Sequence, residues 1–186
     1  MITTNDEYGF SPSAHSFRNK VGRVLWAIIY TALFRPSPKV FHSWRVFLLR
    51  LFGAKIGRDS YVYSTVKVWA PWNLQIGDYS CLAHDVDCYC VDKIVIGNRV
   101  TVSQYSYLCT ASHDYTEWDM PLKTARINLE DNSWICTGAF VGPGVLVGEG
   151  SVVAARAVVT KPIEPWSVVG GNPARFIKAR VMTKSL

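Results

Sequence analysis

The chain has 186 residues, 49% of them hydrophobic and 18% charged, with a mean hydropathy of +0.10. That is enough apolar material for one domain to bury its own core, which excludes a disordered chain, a collagen-like repeat and a disulfide miniprotein. The net charge of +6 divides into +5 over residues 1–50, −4 over residues 51–155 and +5 over residues 156–186; an acidic middle between two basic ends is not the continuous basic surface of a nucleic-acid binder, and no nucleic-acid partner is expected.

The opening stretch, Met1 to Phe17, is polar and rich in Ser and Asn, so no cleavable signal peptide is expected. Residues 18–52 read as a pair of helices. The first spans about Asn19 to Phe34 and stops at Arg35-Pro36-Ser37-Pro38, because proline disfavours a helical residue before it and has no amide to donate. In the second, Val40, Phe41, Trp44, Phe47, Leu48 and Leu51 form one apolar stripe of helical period, closed by Gly53 at a C-cap position. Between Arg18 and Arg50 stand seven cations (Arg18, Lys20, Arg23, Arg35, Lys39, Arg45, Arg50) and no acid. Two compatible readings stay open for this pair: the stripe packs on the rest of the fold or on a neighbouring subunit, or residues 18–52 lie on an anionic membrane surface. The longest apolar run, Val24 to Phe34, is about half of the ~20 residues that span a bilayer, so no transmembrane segment is predicted.

From Ile56 the helical period gives way to a period of six. The blocks begin at Ile56, Ile76, Leu82, Ile96 and Val102, and after an interruption at Leu129, Ile135, Val141, Val147 and Val153. Each opens on an aliphatic residue, most place a small residue next, and many carry a small or β-branched one four places on. A phase-locked six is the pattern of a solenoid, in which one aliphatic side chain per face points inward and small residues permit the corners; a β-sandwich would alternate with period two. At three faces per coil the period is about eighteen residues, which gives roughly five or six coils. The predicted organisation is therefore a polar tail and helical pair over 1–53, a parallel β-helix over 54–170, and a basic segment over 171–186.

The interruption, residues 113–128, reads as a loop thrown out of the rigid scaffold, with His113 at its root. The five cysteines (Cys81, Cys88, Cys90, Cys109, Cys136) show neither a paired framework nor metal spacing and read as reduced core residues in a cytosolic protein. His15, His42 and His84 are scattered, and with no histidine cluster a zinc site is not expected.

At this point the chain resembles the hexapeptide-repeat acyltransferases, and among them the acetyltransferases of colanic-acid-type exopolysaccharide clusters, relatives of the maltose and galactoside O-acetyltransferases. The stretches that carry the resemblance are Phe47-Leu-Leu-Arg-Leu-Phe-Gly-Ala-Lys-Ile-Gly57, Val68-Trp-Ala-Pro-Trp-Asn-Leu-Gln-Ile-Gly-Asp-Tyr-Ser80, Cys109-Thr-Ala-Ser-His-Asp-Tyr115, Val158-Val-Thr-Lys161 and Gly171-Asn-Pro-Ala-Arg175. The resemblance implies a mainly β, left-handed parallel β-helix that works as a homotrimer, with acetyl-CoA as acyl donor and no metal in the chemistry. It implies that His113 is the general base, Thr137 lines the thioester end of the donor site and Ala155 faces pantetheine. It further implies that Thr160 and Lys161 contact the nucleotide end and that Arg175 lies near the phosphates. Where relatives read Ala-Gly-Ser, this chain has Ala155-Arg156-Ala157, so Arg156 either reaches a CoA phosphate, narrows the channel, or is a surface corner.

On the acceptor side the resemblance places Asp87 beside the sugar, where a carboxylate can accept from two neighbouring hydroxyls. Loop residues Asp114, Glu117 and Asp119 are further polar candidates, and Trp118 is placed to stack on a sugar face. The expected activity is O-acetylation of a sugar hydroxyl in surface-polysaccharide synthesis, in the cytoplasm or at the inner face of the membrane. Two alternatives stay open: N-acylation of an amino-sugar nucleotide or other small acceptor, and a catalytically idle trimeric scaffold at the membrane.

Overall fold

The computed structural model describes residues 16–183; the polar opening segment, with His15, and the last three residues lie outside them. Ser16 caps the first helix, α1 (Phe17–Ile29), its hydroxyl accepting the Asn19 amide at 3.2 Å. The helix does not keep its geometry to Phe34 as expected, because a π turn takes over at Tyr30–Phe34. That wider turn stacks Tyr30 on Phe34 at 5.4 Å and lets Trp26 reach Phe34 and Phe52 at 5.7 and 5.2 Å. The Trp26 indole then donates to the Val68 carbonyl at 2.7 Å, pinning α1 to the coil beneath it.

Of the readings open for the second helix, α2 (His42–Leu51), packing of its whole stripe on this chain's own coil is corrected. Leu48 is buried, but Val40, Phe41, Trp44, Phe47 and Leu51 are exposed, and α2 meets the coil through Arg45, Val46, Leu48 and Leu49. The cause is Arg45, which is wholly buried. Its Nε donates to Val62 O at 2.6 Å, Nη1 to Ser37 Oγ and Pro38 O at 2.9 and 2.8 Å, and Nη2 to Lys39 O at 2.7 Å. A buried guanidinium is tolerable only when its donors are satisfied. Neutral oxygens of the interhelix turn and of the coil do this together, and they fix which side of α2 faces inward.

The strands then run in threes. The first coil holds β1 (Lys55–Ile56), β2 (Tyr61–Val62) and β3 (Lys67–Val68); the second β4 (Leu74–Ile76), β5 (Cys81–Leu82) and β6 (Asp87–Tyr89); the third β7 (Ile94–Ile96), β8 (Thr101–Val102) and β9 (Tyr107–Cys109). A hairpin leaves the coil as β10 (Ala111–His113) and β11 (Leu122–Thr124). The coil resumes with β12 (Ile127–Leu129), β13 (Trp134–Ile135) and β14 (Phe140–Val141), then β15 (Leu146–Val147), β16 (Val152–Val153) and β17 (Val158–Val159). Two faces of a sixth coil follow, with Ile163 bridging to Val147 and β18 (Ser167–Gly170) pairing β16, before β19 (Arg175–Ala179) turns back antiparallel on β18. All pairing between coils is parallel and forms three faces.

Ile56, Ile76, Leu82, Ile96 and Val102, and likewise Leu129, Ile135, Val141, Val147 and Val153, are buried, as the period of six requires. The coil length differs from the uniform eighteen. Partners are twenty residues apart in the early coils, as in Lys55 against Gln75 and Lys67 against Asp87, and eighteen only later, as in Asn128 against Leu146. The extra residues sit at the corner after β3 and β6; after β3 they include the short 3-10 turn Pro71–Asn73.

Stacking at the first corner leaves no room for a side chain at Gly77, where a Cβ would come within 2.7 Å of the Gly97 backbone. Beside this column, side chains cap the preceding coil: Asp78 accepts the Arg58 amide at 2.9 Å, Asn98 the Asp78 amide at 2.8 Å and Asp131 the Asn98 amide at 2.8 Å. Gly77→Ala should therefore push adjacent coils apart and cost about 2 kcal/mol, lowering the thermal midpoint by roughly 5 °C. An unchanged midpoint by calorimetry would show that the glycine column is not a packing requirement.

Candidate active site

The third face of the coil organises the predicted residues. Val68, Cys88, Leu108, Val141 and Val159 are register partners in successive coils, so the residues that follow them share one corner. Trp69 and Tyr89 stand at this corner in the first and second coils, the hairpin bearing His113 departs from it in the third, and Thr160-Lys161 occupy it in the fifth. At ~4.8 Å per coil, β6 and β17 are three steps, about 14 Å, apart.

His113 pairs with Leu122 across the hairpin and is exposed. Its Nδ1 lies 2.6 Å from the Met120 carbonyl. A carbonyl can only accept, so Nδ1 carries the hydrogen and the neutral ring presents Nε2 with a free lone pair. The hairpin that fixes this tautomer is held by Asp114, whose Oδ1 accepts from the Thr116 amide and hydroxyl at 3.0 and 2.6 Å and whose Oδ2 pairs with Lys123. Asp114 therefore spends both oxygens on its own hairpin. Trp118 stands fully exposed, and Glu117 and Asp119 are exposed beside it.

Asp87 sits in a cleft of about 360 Å³ between α1 and the coil, lined by Arg23, Lys67, Trp69 and Tyr89. Burial pushes its carboxyl up, while Lys67, 4.0 Å away, pulls it down. The Arg23 guanidinium lies 4.3 Å over the Trp69 ring, and Trp69 contacts Tyr89 edge-on at 5.7 Å. Tyr107, the register partner of Asp87 in the next coil, has its phenol raised well above the ordinary value, first by burial and then by Cys109. The resemblance singled out Asp87, but not the cation, the indole and the phenols around it. They come from segments far apart in the chain, and no local motif signals their meeting.

Thr160, Lys161 and Arg175 line one cavity of about 250 Å³, with Pro162, Ala174 and Phe176 as apolar wall. Two cations and a hydroxyl around an apolar slot can hold a phosphorylated ligand. Thr137, Ala155 and Arg156 lie elsewhere, on the corner that leads into the third face. There the Arg156 amide donates to Thr137 O at 2.9 Å, and the Thr137 hydroxyl donates to Gln104 O at 2.9 Å. Arg156 is exposed with φ of 59°, and its Cγ lies over Gly138 of the preceding coil. Within one chain the donor candidates are thus divided between two corners.

The Lys123 and then the Thr116 bonds hold the Asp114 carboxyl at about 2, below its ordinary 3.8. A depressed carboxylate supports the fold above its unfolded value and loses that support as pH falls through the folded one. The Thr116 amide resonance should therefore titrate with a midpoint near 2, and Asp114→Asn should abolish the titration. A midpoint at the ordinary 3.8 would mean that Asp114 does not hold the hairpin.

No family model matches the chain. By sequence it is 41% identical, over 180 residues, to a protein of Escherichia coli (strain K12) named as a colanic acid biosynthesis acetyltransferase, WcaF, with 96% of this chain and 99% of that one covered. In structure it is similar to a hexapeptide-repeat-containing acetyltransferase of Vibrio cholerae, with a TM-score of 0.82 and 25% identity over 89% of this chain and 94% of that one. The same Vibrio protein has also been solved in complex with acetyl coenzyme A. A maltose O-acetyltransferase from Clostridium difficile 630 matches with a TM-score of 0.74 and 26% identity over 87% and 88%. With the stacked coil, the hairpin histidine and this near full-length identity together, the chain belongs to the hexapeptide-repeat acetyltransferases, in the group of the colanic acid biosynthesis enzymes.

Proposed function

We propose that this enzyme transfers an acetyl group from acetyl-CoA to a sugar hydroxyl in the synthesis of an exopolysaccharide or surface polysaccharide, with His113 as general base. The observation that carries the reading is the Nδ1 bond to Met120 O, which leaves Nε2 as the basic atom of an exposed ring. That ring projects from the corner between the Asp87 cleft and the Lys161 cavity. A sugar hydroxyl is a poor nucleophile at neutral pH, and an imidazole with a free Nε2 lone pair can take the proton as the oxygen attacks.

The cavity at Lys161 fits a nucleotide donor: Lys161 and Arg175 supply positive charge, Thr160 a hydroxyl, and Pro162 and Phe176 an apolar wall. When bound, acetyl-CoA supplies the activated acetyl thioester. Thr137, Ala155 and Arg156, on the opposite corner, serve the same donor if a neighbouring coil brings that edge round. We therefore take the working unit to be a homotrimer, with donor and acceptor meeting between subunits. In the acceptor cleft, Asp87 accepts from sugar hydroxyls while Trp69 and Tyr89 offer ring faces. The described cysteines are free thiols, and a coenzyme A donor belongs with a reducing compartment, so we place the reaction in the cytoplasm.

His113→Ala should lower turnover by ~10²–10⁴-fold while leaving CoA affinity nearly unchanged, measured by thiol release and by titration calorimetry. Near-full activity of that variant would sink the assignment. Lys161→Ala and Arg175→Ala should each raise KM for acetyl-CoA by roughly ten- to a hundredfold with little loss of kcat, because a charge-assisted contact to phosphate contributes about 1.5–3 kcal/mol. Across a panel of sugars and amino-sugar nucleotides, thiol release with amine acceptors alone would overturn O-acylation.

A further inference from the structure

We infer that the outer face of the helical pair docks on an anionic lipid surface. This goes beyond the acyl-transfer reading and does not depend on it. On α1, Val21, Val24, Leu25 and Ile28 are exposed at the spacing of one helical stripe. On α2 and the turn before it, Val40, Phe41, Trp44, Phe47 and Leu51 are exposed as well, because Arg45 turns the other side of the helix inward. The two stripes form one surface. At one end Leu25 and Leu51 line a common groove, and at the other Leu33, Phe41 and Trp44 line a second. The Trp44 indole bonds Leu33 O at 3.2 Å across that junction and stacks near Phe47 at 5.7 Å, so the aromatic part of the face is built rather than loose.

Charge selects the occupant. No acid occurs between Arg18 and Arg50, and Arg18, Lys20, Arg35 and Lys39 are all exposed. On the helical wheel of α1, Arg18 and Lys20 flank the stripe of Val21, Val24, Leu25 and Ile28 on either side, the placement that lets long cationic side chains reach headgroups while the stripe enters the acyl boundary. A second copy of the same face would oppose like charges, and a neutral protein surface would leave the cations unmatched. An anionic bilayer satisfies both the apolar stripe and its cationic margin. No helix of the described residues is long and apolar enough to cross a membrane, so the contact is interfacial.

The test is sedimentation of the full chain with vesicles of phosphatidylcholine alone and with about a third phosphatidylglycerol. Binding is expected to the anionic vesicles only and to fall in high salt. Phe41→Ser/Phe47→Ser should weaken partitioning at least tenfold, and Lys20→Glu and Lys39→Glu should each weaken it on the order of fivefold, with the thermal midpoint of every variant unchanged. Equal binding to neutral vesicles, or undiminished binding by both sets of variants, overturns the proposal. Absence of vesicle binding overturns it too, and a fall in mass of the Phe41→Ser/Phe47→Ser variant by light scattering would then make the face a subunit contact.

Discussion

Parallel registration of one coil on the next is the constraint from which the rest of this structure follows. Each strand is only two to four residues long apart from the last, β19, too short to hold itself, and gains its stability from the strands above and below. Registration is enforced at the corners, where the close approach of Gly57, Gly77 and Gly97 admits no Cβ and where Asp78, Asn98 and Asp131 each close an amide of the coil before. Once corners align, chemistry can be distributed along an axis instead of along the chain. Asp87, His113 and Lys161 are 74 residues apart from first to last in the sequence, yet Asp87 lies on the third face and His113 and Lys161 lie at or beyond the corner that ends it.

The interior was legible because one aliphatic residue in six is a strong and redundant signal. Ile56, Ile76, Leu82, Val102, Ile135 and Val147 all point where the repeat put them. Coil length was less legible. The phase of each face survives when two residues are added at a corner, so the Pro71–Asn73 turn lengthens the coil without disturbing the blocks on either side. The helical pair was left open for a different reason. Apolar periodicity identifies a stripe but not what covers it, and α2 carries two apolar sides. The choice between them is made by Arg45, which reads in the sequence as one more solvated cation and is in fact the most deeply committed side chain of the pair.

Candidates borne by local motifs can be named from the sequence, whereas neighbours assembled by distance cannot. Thr160, Lys161 and Arg175 line one cavity. Asp114 was a plausible acceptor ligand until its oxygens were accounted for; a carboxylate that already accepts from Thr116 and Lys123 has little left to offer a sugar. Arg23 illustrates the opposite case. It looked like part of a basic helix, but its guanidinium covers Trp69 and forms one wall of the Asp87 cleft.

That double use of α1 links the two ends of the functional argument. One side of the helix contributes Arg23, Trp26 and Tyr30 to the cleft, and the other exposes Val21, Val24, Leu25 and Ile28. A helix with its side chains is ~10 Å across. A bilayer meeting the outer stripe would therefore place its headgroups about one helix diameter from the Asp87 cleft. A large exposed apolar face on a small coil is otherwise an aggregation hazard, and a lipid surface would cover it.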